Sequence, residues 1–161
     1  IDEGCSLFID VGTTAMYLAK NFPDMNVHVF TNGLAVAMEL AKKKNMNVTM
    51  VGGQVMRENL STASPLARDY FNNTNFELAI ISASAFTPEN GFSCTSQIEA
   101  DLLKMVREKA KSLYMMLDSS KIGKVQPYTF TRMEEIDVLI TDGNLPSDMK
   151  QLFEQKNIVV M

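Results

Sequence analysis

Apolar and polar positions along the chain follow two alternating rhythms. Short, nearly unbroken apolar runs recur, with centres LFI, VHVF, VTMV, LAII, LYMML, VLI and IVV. They predict strands over Ser6–Asp10, Val27–Thr31, Asn47–Val51, Leu78–Ser82, Leu113–Asp118, Asp137–Thr141 and Asn157–Met161. Little alternation within a run means that both strand faces are covered, as in a parallel sheet. Between the runs the period becomes helical. Ala15, Leu18, Ala19 and Phe22 form one buried stripe, and Leu34, Ala37, Met38 and Ala41 form another. Ile98, Leu102, Met105 and Val106 form a third, within a helix over Ser96–Ala110. Met149, Leu152 and Phe153 make a short last stripe after Pro146, with Ser147 near its start. Pro65 and the run Leu66–Phe71 predict a further, less regular helix. Strand and helix alternating in this way predict an α/β fold: an open, doubly wound, mostly parallel sheet with helices on both faces. No repeat, low-complexity tract or linker interrupts the pattern, so residues 1–161 are expected to form a single domain.

Composition narrows the function classes. The 161 residues are 46% hydrophobic and 21% charged, ordinary for a globular chain with a sizeable core. A net charge of −4 argues against a nucleic-acid-binding surface here, while leaving room for a local basic pocket. No apolar run nears the roughly 20 residues that span a bilayer, and no signal-peptide pattern opens the chain, so no membrane partner is expected. Cys5 and Cys94 fit no metal or redox spacing; reduced thiols in a cytoplasmic protein are the expectation. The sole histidine, His28, lies inside an apolar run and reads as a structural strand residue. No His/Cys cluster suggests a metal, and no cofactor is implied. Twelve methionines and no tryptophan suggest an adaptable core.

In a doubly wound sheet, ligands bind beyond the carboxyl ends of the strands. After successive runs come Asp10-Val11-Gly12-Thr13-Thr14, Thr31-Asn32-Gly33, Gly52-Gly53, Ser82-Ala83-Ser84, Asp118-Ser119-Ser120-Lys121 and Thr141-Asp142-Gly143. Each alone is a common loop or helix cap; their convergence on one edge is the signal. Gly12 permits close approach or a positive φ, and Thr13 and Thr14 open the next helix, whose free amides suit a phosphate. A plain strand-to-helix turn explains the same residues. The stretch is neither a Walker loop, lacking the lysine, nor a dinucleotide fingerprint, having one glycine in place of three. Asp10 would repel a phosphate, so it better suits a sugar hydroxyl or a backbone N–H. Lys121 is either a cation reaching an anionic ligand or a solvated loop lysine. Gly52 and Gly53 either clear room or turn the chain. Glu99 and Lys104 lie on the long helix, where exposed charge is the default, and Lys124 and Lys42-Lys43-Lys44 read as exposed.

The ordered motifs "FIDVGTTAMYLA", "VFTNGLAVAMEL", "VTMVGGQV", "NGFSCTSQIEADLLKMV", "LDSSKIGK" and "IDVLITD" resemble the effector-sensing C-terminal domain of DeoR-family transcriptional repressors, across essentially the whole chain. The resemblance implies a fold related to ribose-5-phosphate isomerase and CoA transferases, with a phosphorylated sugar or polyol bound at the strand ends. It implies a first ligand loop of Asp10, Gly12, Thr13 and Thr14, with the threonines on the phosphate. Thr31 and Asn32 would form the second loop, and Gly52 and Gly53 the third. Asp118 and Lys121 would face the ligand and Glu99 matches the family's acidic position at the start of the long helix, while Ser82 joins the ligand-binding candidates from its place at a strand end. Ala63-Ser64-Pro65 and Ser82-Ala83-Ser84-Ala85-Phe86 stand where the family favours glycine, an expectation of a narrower pocket. The resemblance further implies a homo-oligomer, dimer or tetramer, and DNA binding through an N-terminal winged helix-turn-helix that this chain does not contain. The expected function is thus ligand sensing without catalysis. A sugar-phosphate isomerase, using a carboxylate and a lysine as proton shuttles, is the alternative. A pure oligomerisation module is the third reading.

Overall fold

The computed structural model describes residues 1–64 and 70–161, so the helix expected over Leu66–Phe71 lies mainly outside the described residues. In the first half β1 (Ser6–Ile9), α1 (Thr13–Asn21), β2 (Val27–Thr31), α2 (Leu34–Leu40) and β3 (Met46–Met50) alternate. A hairpin of β4 (Gln54–Met56) and β5 (Ser61–Ala63) follows. The second half holds β6 (Phe76–Ser82), the short β7 (Ala85–Thr87) and β8 (Gly91–Cys94), then the long α3 (Gln97–Lys109) and β9 (Ala110–Met116). β10 (Tyr128–Thr131), β11 (Val138–Ile140), α4 (Ser147–Gln155) and β12 (Val159–Val160) complete it.

Each apolar run becomes a strand of one seven-stranded sheet, ordered β12-β11-β9-β6-β1-β2-β3. Every pairing within it is parallel. All its carboxyl ends therefore lie along one edge. Chain order climbs from β1 to β3 in one direction and from β6 to β12 in the other, so the topology reverses between β1 and β6.

The two faces hold separate cores. On one, Leu7, Ile9, Val27, Val29, Leu78 and Ile80 pack with Ala15, Ala19 and Phe22 of α1 and its flank and with Val36 and Leu40 of α2. On the other, Phe8, Phe30, Ala79, Ile81 and Met115 pack beneath Leu102, Leu103 and Val106 of α3 and Phe153 of α4. The open α/β architecture with helices on both faces is as the sequence predicted. Two stripes are corrected. Met38 is 69% exposed and Ile98 is 41% exposed. The first amide of α2, Leu34 N–H, is tied to the Leu60 carbonyl at 3.0 Å, and the helix turns Val36 and Leu40 inward in place of Met38. Ile98 lies in the first turn of α3, ahead of the buried run that starts at Ala100. His28 is structural as expected: its Nε2 lies 2.7 Å from Thr49 Oγ1 and its ring stacks on Phe30 at 4.3 Å.

Five short strands were not foreseen. β10, β8 and β7 form an antiparallel sheet on the α3 side, and β4 and β5 pair antiparallel near the carboxyl edge of the main sheet. Phe86 of β7, Phe92 of β8 and Phe153 of α4 bind this small sheet to the core, with ring centroids 4.5 Å and 5.1 Å from Phe86.

Candidate functional site

In an open parallel sheet ligands bind at the carboxyl edge where strand order reverses, which here is the β1–β6 junction. Asp10 follows β1 directly and is completely buried. Its Oδ2 accepts from Ser82 N–H at 3.1 Å and from Ser82 Oγ–H at 2.9 Å, and the same hydroxyl lies 3.1 Å from the Val11 carbonyl. Charge-assisted bonds of this kind pin the two strand ends together. Burial pushes the Asp10 carboxyl above its ordinary range, opposed in part by the hydrogen bonds from Ser82. Among the described residues two side-chain oxygens buried at this corner, Asp10 Oδ1 and Asn32 Oδ1, have no hydrogen-bond partner. Unpaired buried acceptors are uncommon and costly, and both sit at neighbouring strand ends. Glu99, in the first turn of α3, joins them. Burial first, and the nearby Asp10 charge second, push its carboxyl up to about 7. Cys94 lies beside it, and burial followed by the Glu99 charge pushes the thiol up to about 12, so it is inert.

Gly12 carries the chain from β1 into α1 at φ 122°, a conformation that favours glycine. A Cβ there would stand 3.8 Å from Ser82 Oγ, so the turn abuts the β1–β6 junction. Gly12 as N-cap brings no side chain to the amides that follow, no other side chain among the described residues bonds them, and the first turn has no carbonyls of its own to meet them. Beside this turn lies a cavity of about 350 Å³ lined by Val11, Gly12, Thr13, Met16, Ala35, Val36, Glu58, Asn59 and Leu60. The last three residues form the tip of the β4–β5 hairpin and were not among the sequence candidates. Their signal is faint, because exposed turn residues after a Gly-Gly pair read as solvated loop.

The remaining candidates fall into two groups. Thr31 and Asn32 are buried and occupied by local structure: Thr31 Oγ1 accepts from Gly33 N–H at 3.0 Å, and the Asn32 carbonyl accepts from Thr62 N–H at 2.7 Å. Gly53, at φ 153°, serves the hairpin, since a Cβ there would meet the Ala63 carbonyl oxygen at 2.2 Å. Gly52 is exposed with open space around it. Asp118 is exposed and caps the 3-10 turn Ser119–Lys121 through Ser120 N–H at 2.8 Å. Hydrogen bonds from Ser120 hold its carboxyl below the usual range, with smaller help from Lys121 and Lys124. Lys121 is half-buried in that turn. It stands past the end of β9, two strands from β1, roughly 10 Å along the edge at ordinary strand spacing. The structure thus gathers Asp10, Gly12, Asn32, Ser82 and Glu99 closely and places Asp118 and Lys121 further along the same edge.

Comparison with known proteins bears on this edge. The description "DeoR C terminal sensor domain" matches residues 1–143. The chain belongs to the DeoR family. It is 32% identical over 160 residues to the HTH-type transcriptional regulator GlpR of Haloferax volcanii, covering 99% of this chain and 62% of that protein. It is also 32% identical over 157 residues to the uncharacterized HTH-type transcriptional regulator YulB of Bacillus subtilis, covering 97% of this chain and 61% of that protein. The chain thus spans about three fifths of the length of these relatives. Among solved structures, ribose 5-phosphate isomerase from Plasmodium falciparum superposes with a TM-score of 0.51 at 12% identity, over 76% of this chain and 46% of that one. That likeness is one of fold.

For a DeoR sensor domain, this geometry offers two chemistries side by side. The start of α1 presents free amides, a geometry that in general suits an anion. At the Asp10–Asn32 corner two buried side-chain oxygens have no partner among the described residues, and the Glu99 carboxyl stands near Asp10. Among the described residues no group of three or more His, Cys, Asp or Glu could hold a metal ion, and no helix is long and apolar enough to cross a membrane.

Proposed function

We propose that this DeoR-family chain senses a phosphorylated sugar or polyol at the β1–β6 crevice and thereby controls DNA binding by an attached helix-turn-helix domain. The observation that carries the reading is the pairing of opposite preferences at one topological switch point: bare amides after Gly12 for the phosphate, and unpaired acceptors on Asp10 and Asn32 for donor groups. Thr13 and Thr14 would hold the phosphate, and Lys121 would approach it from the β9 end. For sensing, the ligand must bind two states of the protein with different affinity.

A thermal-shift panel of phosphorylated sugars and polyols with their dephosphorylated forms tests this. A ligand at a hundred times its Kd adds about 2.7 kcal/mol of stability. Phosphorylated members raise the melting temperature and their dephosphorylated forms do not. Equal responses to both forms remove the anion site from the reading. The isomerase alternative draws on one observation, the Glu99 carboxyl held near 7 beside Asp10, which suits a general base. Analysing the same panel for aldose–ketose interconversion decides it, since turnover abolished by Glu99→Gln would replace sensing with catalysis.

A further inference from the structure

We infer that the sheet face over β6, β9 and β11 seats an amphipathic helix joined directly to Ile1, the last element of the segment that links this chain to its DNA-binding domain. The inference rests on the attached-domain part of the reading above and concerns the side of the sheet away from α3. In-register pairing sets Leu7 beside Leu78, Leu78 beside Ser112 and Ile80 beside Tyr114, so these side chains share one face. On that face Ala15 and Ala19 of α1 and Val36 and Leu40 of α2 cover the β1–β3 wing. Helices α3 and α4 lie on the opposite face. Among the described residues no helix continues the layer beyond β6. A groove of about 410 Å³ remains there, floored by Leu78, Ile80, Ser112, Tyr114 and Ile140. It reaches from Ile1 and Cys5, ahead of β1, to Met161, past β12. Tyr114 and Ile140 are half-buried, and Ile1 and Met161 are 58% and 70% exposed. An apolar strand face of this kind calls for a second layer.

The turn ahead of β1 points to the occupant. Asp2–Cys5 form a four-residue turn, closed by Cys5 N–H on the Asp2 carbonyl at 3.4 Å, with Gly4 at φ 83° and its N–H on the Asn26 carbonyl at 2.7 Å. Such a turn reverses the chain, so backbone arriving at Ile1 runs opposite to β1 and along the groove. A glycine at positive φ is also the usual residue just past a helix end. Strands β2, β3, β9 and β12 are each entered from a helix, α1 to α4 in turn, and a helix entering β1 completes that pattern on the bare face. About two fifths of the length of GlpR and YulB lies outside the match, enough for such a helix and a further domain. The floor strands β6 and β9 have seven residues each, about 23 Å, which a helix crosses in about 15 residues. Ser82 ends β6 and Lys121 stands past β9, so the helix rests on the strands that shape the effector edge.

Cys5 reports on the groove directly, because it is half-buried in its wall while Cys94 is buried. In residues 1–161 alone, Cys5 reacts readily with Ellman's reagent. In the full-length protein it reacts more than about tenfold slower. Extension by roughly 15 residues before Ile1 gives the same protection and adds helix by circular dichroism. Ser112→Arg, on the groove floor, restores the fast rate in the extended protein, and Tyr114→Glu does so independently. Equal rates in the short and full-length proteins, protection without added helix, or protection that neither variant relieves overturns the inference. Protection of residues 1–161 alone that grows with concentration gives the face to a second copy and overturns it as well. The phosphosugar thermal-shift panel, run on the same full-length protein, separates the two readings. A ligand response beside a reactive Cys5 removes this inference alone; a protected Cys5 without any response removes the effector reading alone.

Discussion

Replacing Glu99 by glutamine should make the protein more stable, and only above a certain pH. In the folded chain burial and the neighbouring Asp10 charge raise the Glu99 carboxyl from 4.5 to about 7. A raised folded value means that the native state keeps this proton more firmly than the unfolded chain does. The Glu99 contribution to wild-type stability is therefore full below about 4.5, declines as pH rises towards 7, and levels off above that. Each tenfold change in proton affinity is worth about 1.4 kcal/mol, so the full rise would be worth about 3.4 kcal/mol, and the partial exposure of the side chain reduces the cost of ionisation to about 2–3 kcal/mol at pH 8. Glutamine keeps the shape and carries no charge. Asp10 is present in both proteins, and the relief of its repulsion with Glu99 is already part of that cost. Urea denaturation of both proteins across pH 4 to 8 is the assay. The stability gap starts near zero, opens through the window and reaches about 2–3 kcal/mol, equivalent to roughly 5–10 °C in melting temperature for a chain of this size. A gap that stays constant with pH would refute the reasoning, because loss of a neutral packing contact does not depend on protons.

Two further substitutions probe the frame and the rim. Gly53→Ala places a methyl group against the Ala63 carbonyl, 2.2 Å away, and should cost about 2–4 kcal/mol while loosening the hairpin wall of the cavity; a loss below about 0.5 kcal/mol by urea denaturation would contradict it. Lys121→Ala should leave the free protein's melting temperature unchanged yet reduce the affinity for phosphorylated ligands about three- to tenfold, and an undiminished thermal shift would return Lys121 to the solvated lysines.

The central sheet was legible because a strand covered on both faces must be apolar almost throughout, and LFI, LAII and LYMML have no other simple explanation. Its carboxyl edge followed from parallelism alone, which is why Asp10, Gly12, Asn32 and Ser82 converge as foreseen. The small strands were illegible for a matching reason. Gln54–Met56, Ser61–Ala63 and Ala85–Thr87 have three residues each, too few to display a period, and their partners are set by tertiary docking. The hairpin's part in the cavity was hidden with them. Asp118 illustrates a different limit: its position past a strand end was correct, but nothing in "LDSSK" distinguishes a carboxylate facing a ligand from one capping its own turn. Met38 and Ile98 matched a helical stripe by spacing, while the rotation of α2 and the overhang of α3 depend on contacts made elsewhere in the chain.

The hydrogen bonds from Ser82 to Asp10 join residues 72 positions apart. Among the described residues the sheet's two wings, β1 to β3 and β6 to β12, are joined within it along the β1–β6 seam. A molecule lodged in that crevice acts as a rivet through both wings. Its binding energy opposes their separation, so occupancy is felt by the whole structure at once and not as the quieting of a single loop.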